Sequence, residues 1–105
     1  MPLEPFVSRT SKRPLDGEAA AAIDRRIARE APKSKFRVRW GWSPCGTICD
    51  VKTTLVSWQI RLGDGDPDTL AIYADIPKFV RGMLNEQKQE GFKRTIDCIL
   101  DEMGF

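Results

Sequence analysis

Six cationic side chains carry the clearest chemistry that the sequence offers. They are Arg25, Arg26, Arg29, Lys35, Arg37 and Arg39. Guanidinium and ammonium groups bind phosphates and carboxylates through charge-assisted hydrogen bonds. Because contacts to phosphate are independent of base identity, the six residues predict affinity for a nucleic-acid backbone without sequence readout. The same charges also suit an acidic protein surface.

The positive charge is concentrated in the first part of the chain. The net charge of the 105 residues is only +2. Residues 1 to 42 contain ten Lys/Arg and five Asp/Glu, whereas residues 43 to 105 contain seven and ten. A segregated positive half presents a patch to an anionic partner even where the net charge gives weak steering.

The acidic run after residue 63 has part of the spacing of an EF-hand calcium loop. Asp64, Asp66, Asp68 and Asp75 supply the oxygens, but Thr69 stands where such a loop needs glycine. The last ligand is also Asp instead of the usual bidentate Glu. Because the run is rich in Gly, Asp and Pro, a hairpin turn is the better interpretation.

The cysteines give no strong signal for a metal or a nucleophile. The chain has Cys45, Cys49 and Cys98 but no histidine, which removes the common zinc sets and the commonest catalytic base. We therefore expect no metal, no cofactor and no enzymatic activity. No apolar run has the length of a signal peptide or a membrane span, so we expect a cytoplasmic protein with reduced thiols and no membrane partner.

A strand is predicted to position half of the cations. Apolar and polar residues alternate strictly from Lys35 to Trp42, a period of two that is typical of a half-buried strand. One face carries Phe36, Val38, Trp40 and Trp42, and the other carries Lys35, Arg37, Arg39 and Gly41. We expect the rings to pack in the core. Rings on the solvent face would instead be platforms for stacking bases.

Helices and two further strands complete the prediction. Asp16 as an N-cap and Pro32 as a stop predict a helix over residues 17–31, with the three helical arginines on its outer side. Alternation over 54–62 and 70–76 predicts two strands that form an antiparallel meander with the first. The apolar residues of 77–103 fall on opposite sides of a continuous helix, so we expect a break at Gly91.

The sequence thus predicts an α+β protein with a flexible basic arm over 1–15 and a single domain over 16–105. An N-terminal helix and a C-terminal helical pair would cover one face of a three-stranded antiparallel sheet. This order resembles that of the double-stranded RNA-binding domain. The resemblance concerns element order only, because Pro77, Lys78 and Arg81 stand where that family has a lysine-rich start to its last helix.

Two functions from different classes fit these observations. The first is a small non-catalytic nucleic-acid-binding protein whose basic helix and strand face contact phosphates. The alternative is a protein-interaction module, such as a small inhibitor or adaptor, that docks an acidic partner through the same arginines or an edge strand. The sequence leaves the oligomeric state open, and an edge strand would also permit a homodimer.

Overall fold

The computed structural model describes residues 3–35, 37–54, 56–78, 82 and 86–105. Within these residues, five strands form one antiparallel sheet that is accompanied by two helices. The elements are β1 (Glu4–Thr10), α1 (Gly17–Glu30), β2 (Arg39–Trp42), β3 (Ile48–Lys52), β4 (Ser57–Leu62), β5 (Thr69–Asp75) and α2 (Glu86–Glu102). The strand order is β1-β5-β4-β3-β2, so β1 and β2 are the edges. Neither helix in the described part of the chain has the length and apolarity to cross a bilayer.

The sheet corrects the prediction of a three-stranded meander preceded by a helix. β1 comes before α1 and pairs with β5, so seven residues of the predicted flexible arm over 1–15 form an edge strand. β3 is a complete strand paired on both sides, and it is not among the three strands that the sequence predicts. The alternation of β1 is interrupted by a bulge between Pro5 and Val7, which removes the local signal by which a strand is predicted.

Helix α1 begins at the predicted cap but is the second element of the chain. The Asp16 carboxylate accepts a hydrogen bond from the Ala19 N–H at 3.0 Å, and Glu18 lies in the first turn, where the helix dipole favours an acid. Ala19 and Ile23 are buried. After Glu30 the chain tightens into a 3-10 turn over Ala31–Lys33, which contains the predicted stop at Pro32.

Both helices cover the same face of the sheet. The core joins residues from three strands and both helices with the C-terminal phenylalanine: Val7, Ala19, Ile23, Leu62, Leu70, Ile72, Leu100 and Phe105. Leu62 and Leu70 are partners in the register of β4 and β5, and their side chains point to the helices. The intervening residues of these strands therefore face away from the helices, on a surface that we call the open face.

Helix α2 continues through Gly91 without a break, so the predicted helical pair is wrong. Four apolar residues of the first helix of that predicted pair, before Gly91, lie outside the described residues: Phe79, Val80, Met83 and Leu84. Phe92 is 51% exposed, yet its ring stacks on that of Trp58, with centroids 5.5 Å apart and planes 13° from parallel. An aromatic residue on the flank of a helix can thus reach the sheet with one ring face, and no break is needed.

Asp24 joins α1 to the edge strand β2. Its Oδ1 accepts hydrogen bonds from the indole Nε1 of Trp40 at 2.9 Å and of Trp42 at 3.0 Å. Hydrogen bonds to an ionised acceptor are stronger than those between neutral groups. The two indoles therefore lie on the helix side of β2, and the residues that alternate with them, Arg39 and Gly41, lie on the open face.

Replacing Asp24 by alanine is expected to lower the free energy of unfolding by about 2 kcal/mol, because two half-buried indole N–H groups lose their acceptor. Urea unfolding followed by tryptophan fluorescence measures this loss. Asp24→Asn is the matched control, since its amide oxygen still accepts a hydrogen bond and should preserve part of the stability. A stability of Asp24→Ala within about 0.5 kcal/mol of wild type would show that the indoles do not depend on the carboxylate.

Candidate functional site

The six cations predicted from the sequence separate into two groups. The first lies on α1 and comprises Arg25, Arg26 and Arg29. The second lies before and at the start of β2 and comprises Lys35, Arg37 and Arg39. All except Arg26 are exposed. The sequence predicts these two groups on a helix and on a strand, but only Arg39 of the second group lies within β2.

The arginines of α1 line an open groove of about 430 Å³. The remaining lining residues are Ala22, Glu102 and Met103, so the groove lies between α1 and the C-terminal end of α2. Arg25 has no side-chain partner among the described residues. Three guanidinium groups and one carboxylate thus line the groove, so the groove is a candidate site for an anion.

Arg26 differs from Arg25 and Arg29 because its side chain is held by acidic residues of both helices. Its Nη1 lies 3.2 Å from Oε2 of Glu102, and its Nε lies 3.3 Å from Oε1 of Glu30. The Nε atom is buried, and its contact with Glu30 lacks the geometry of a hydrogen bond, so this contact is an ion pair only. Arg26 therefore ties α1 to the end of α2, and its charge is largely neutralised.

Arg25 and Arg29 supply the available charge. Arg29 is 61% exposed, and its only described ion pair is with Glu30 at 3.5 Å. Because an exposed pair of this kind contributes about 0–1 kcal/mol, it does not prevent Arg29 from binding a ligand. The two residues are four positions apart, about 6 Å along the helix, so both guanidinium groups can reach one anionic segment.

The second group surrounds the beginning of β2. Arg39 pairs in register with Lys52 of β3, and both side chains are exposed on the open face. Lys35 and Arg37 are exposed but precede the strand, because β2 contains only residues 39–42. Phe36 lies outside the described residues. None of these cations lines the groove of α1.

The open face also carries a polar network that the sequence analysis missed. The guanidinium of Arg61 lies over the ring of Tyr73, with Cζ 4.0 Å from the centroid, and contacts Asp64 at 3.6 Å. The Tyr73 hydroxyl donates to Asp64 at 2.6 Å, and this hydrogen bond raises the pKa of the phenol. Gln59 accepts from Arg61 and donates to Asp50. Alternation places Gln59, Arg61 and Tyr73 on one face, but it does not show that Asp64 reaches back from the turn.

The acidic run between β4 and β5 forms a hairpin turn. Asp64 is engaged by Tyr73 and Arg61, and Asp66 accepts a hydrogen bond from the Asp68 N–H at 2.9 Å.

Across the part of the chain that the structure describes, no group of His, Cys, Asp and Glu side chains has a geometry that could hold a metal ion.

The chain matches no known protein family, no curated protein and no solved structure. The order of its elements also departs from that of the double-stranded RNA-binding domain, because a strand precedes the first helix and the sheet has five strands. The candidate site therefore rests on the residues and their geometry.

The three thiols are free and differ in environment. Cys45 is exposed in the turn after β2, where hydrogen bonds with the Ser43 and Thr47 hydroxyl groups lower its pKa. Cys49 is fully buried, and burial, with smaller contributions from Asp24 and Asp50, raises its pKa to about 11.

Iodoacetamide at about pH 8 is expected to alkylate Cys45 long before Cys49, because the thiolate is the reactive form and Cys49 is both buried and protonated. Mass spectrometry of peptides from timed, quenched samples measures the two rates. Cys98, which is exposed, is the internal control for an accessible thiol. Equal rates at Cys45 and Cys49 would contradict the packing of β2 and β3 under α1.

Proposed function

We propose that this protein binds nucleic acid through the phosphate backbone, and that it does so without catalysis. One observation carries the proposal: three arginines from neighbouring turns of α1 line a single open groove. Arginine presents a planar fork of donors that matches phosphate oxygens in pairs. With Arg26 held by Glu30 and Glu102, the phosphate contacts fall to Arg25 and Arg29.

The positions of the tryptophans support binding without base readout. Trp40 and Trp42 donate their indole N–H groups to Asp24 under α1. Trp58 packs between Phe6, at a centroid distance of 5.3 Å, and Phe92. Proteins that read single strands by stacking need aromatic faces open to solvent. These three rings are engaged within the protein, so affinity depends on the cations.

Three more exposed cations follow α1 in the chain and add to the positive charge beyond the groove. Lys33, Lys35 and Arg37 follow the end of α1 and are exposed. Lys33 lies 3.9 Å from Glu30, a contact between exposed groups that is easily exchanged for a phosphate. A backbone bound at the groove can therefore be followed by additional, weaker contacts toward β2.

The double variant Arg25→Ala/Arg29→Ala is expected to weaken binding to every oligonucleotide by a similar factor. Fluorescence anisotropy with labelled single-stranded and duplex oligonucleotides, over about 50 to 200 mM salt, measures affinity and salt dependence together. Loss of two phosphate contacts should reduce the slope of log K against log salt by about 1.5. Stability should change by no more than about 0.5 kcal/mol, because both residues are exposed.

Lys12→Ala/Arg94→Ala is the charge-matched control. Both residues are exposed, and neither lines a groove described above. This variant removes the same net charge and should leave the affinity close to that of wild type. Equal weakening by both double variants would show that general charge, and not the groove, controls binding. Absence of salt-dependent binding by the wild-type protein would refute the proposed function and favour an acidic protein as the partner.

A further inference from the structure

The outer edge of β2 offers backbone hydrogen bonds to another strand. β2 lies at the end of the sheet, so it has a strand partner on one side only. The Ser43 N–H donates to the Ile48 carbonyl at 2.8 Å, which identifies Gly41 and Arg39 as the other residues bonded to β3. Because backbone groups alternate in direction along an antiparallel strand, those of Trp40 and Trp42 point outward. Among the described residues, no backbone group pairs with them.

The opposite edge of the sheet, β1, is less suited to pairing with an added strand. β1 contains Pro5, which lacks an N–H group, and a bulge between Pro5 and Val7. Both features discourage the addition of a strand at an edge. The four residues of β2 contain neither a proline nor a bulge, and their only charged residue is Arg39. Strand addition is therefore favoured at β2.

A groove is lined by β2 and by its partner strand β3, and Gly41 leaves a gap in this lining. The groove measures about 330 Å³ and is lined by residues 39–43 with Asp50 and Lys52. Gly41 has no side chain, and a Cβ placed there would have no neighbouring heavy atom within 4 Å. Aromatic side chains on a neighbouring strand commonly cover a glycine in this position. The gap can thus accept a ring from an added strand.

We propose that β2 receives an extended peptide from an acidic partner as a sixth strand. A carboxylate of this peptide pairs with Arg39, and an aromatic residue two positions away covers Gly41. The charges favour this occupant, because Arg39 and Lys52 are adjacent and exposed and have no ion pair among the described residues. A second copy of the chain is disfavoured, since it would bring the same cations to a short interface, and like charges across strands are destabilising.

Short fluorescein-labelled peptides of alternating threonine and valine provide the probe. The matched peptide carries phenylalanine and glutamate two positions apart, and a control peptide carries lysine in place of the glutamate. Two more peptides are N-methylated on alternate backbone amides, so that each blocks one edge of the peptide strand. We expect the matched peptide to bind, the lysine peptide to bind at least about tenfold more weakly, and only one of the methylated peptides to retain binding.

Variants of the protein test the same surface independently. Arg39→Glu and Gly41→Val should each weaken the matched peptide at least about tenfold, since they reverse the charge and fill the gap. Arg94→Glu and Gly91→Ala, on the exposed side of α2, are the matched controls and should not alter binding. Thermal unfolding checks that each variant is folded. If Gly41→Val does not fold, Arg39→Glu and the methylated peptides decide the test.

Three results would overturn the inference. The first is a Kd weaker than about 1 mM for the matched peptide. The second is equal binding of the two methylated peptides, because a strand added to β2 uses only one of its edges. The third is self-association in sedimentation experiments that Arg39→Glu or Gly41→Val alters, which would identify a second copy of the chain as the occupant.

Discussion

The arrangement of the protein depends on one carboxylate that two indoles share. Asp24 lies on the flank of α1, and its hydrogen bonds to Trp40 and Trp42 fix the rotation of the helix relative to β2. Residues two positions apart are separated by about 200° around a helix. Turning Asp24 toward β2 therefore turns Arg26 toward α2, where it meets Glu102, and leaves Arg25 and Arg29 beside the groove.

The C-terminal end of α2 completes the other wall of this groove. Arg9 of β1 contacts Asp97 at 3.5 Å and Asp101 at 2.6 Å, which ties the helix to the edge of the sheet. Gly104 adopts a φ of 82°, a conformation that favours glycine, and it turns the chain so that Phe105 is completely buried. Because exposed ion pairs contribute about 0–1 kcal/mol each, the buried ring is the stronger anchor of the two.

The features that the sequence predicts correctly are those determined by residues close together in the chain. Asp16 marked the start of α1, and alternation placed Trp40 and Trp42 on the helix side of their strand. The contribution of β1 is not predictable in this way, because its pairing with β5 joins residues about 60 to 70 positions apart and its own alternation is broken by a bulge. The predicted break at Gly91 assumed that every apolar residue must face the sheet directly, whereas Phe92 reaches Trp58 from the side.

In the candidate sites too, the sequence predicts the local arrangement of residues but not the contacts between distant elements. Helical periodicity placed Arg25, Arg26 and Arg29 near one another, but it gave no indication that the end of α2 lies opposite them. Alternation placed Arg39 on a solvent face, but it did not reveal that β2 is an edge whose backbone groups are open. Both features arise from the order of the strands and the packing of the helices, which are set by contacts between distant parts of the chain.

The proposed binding mode requires that the cations contact phosphates of the nucleic acid while the tryptophan rings keep their contacts within the protein. Two-dimensional ¹⁵N correlation spectra, recorded during titration with a single-stranded oligonucleotide, observe both kinds of group in one sample. We expect the side-chain resonances of Arg25 and Arg29 to shift progressively while the indole N–H resonances of Trp40 and Trp42 stay in place. Strong shifts of the indole resonances with unchanged arginine resonances would contradict the account, because they would show that the bases stack on rings that have left Asp24.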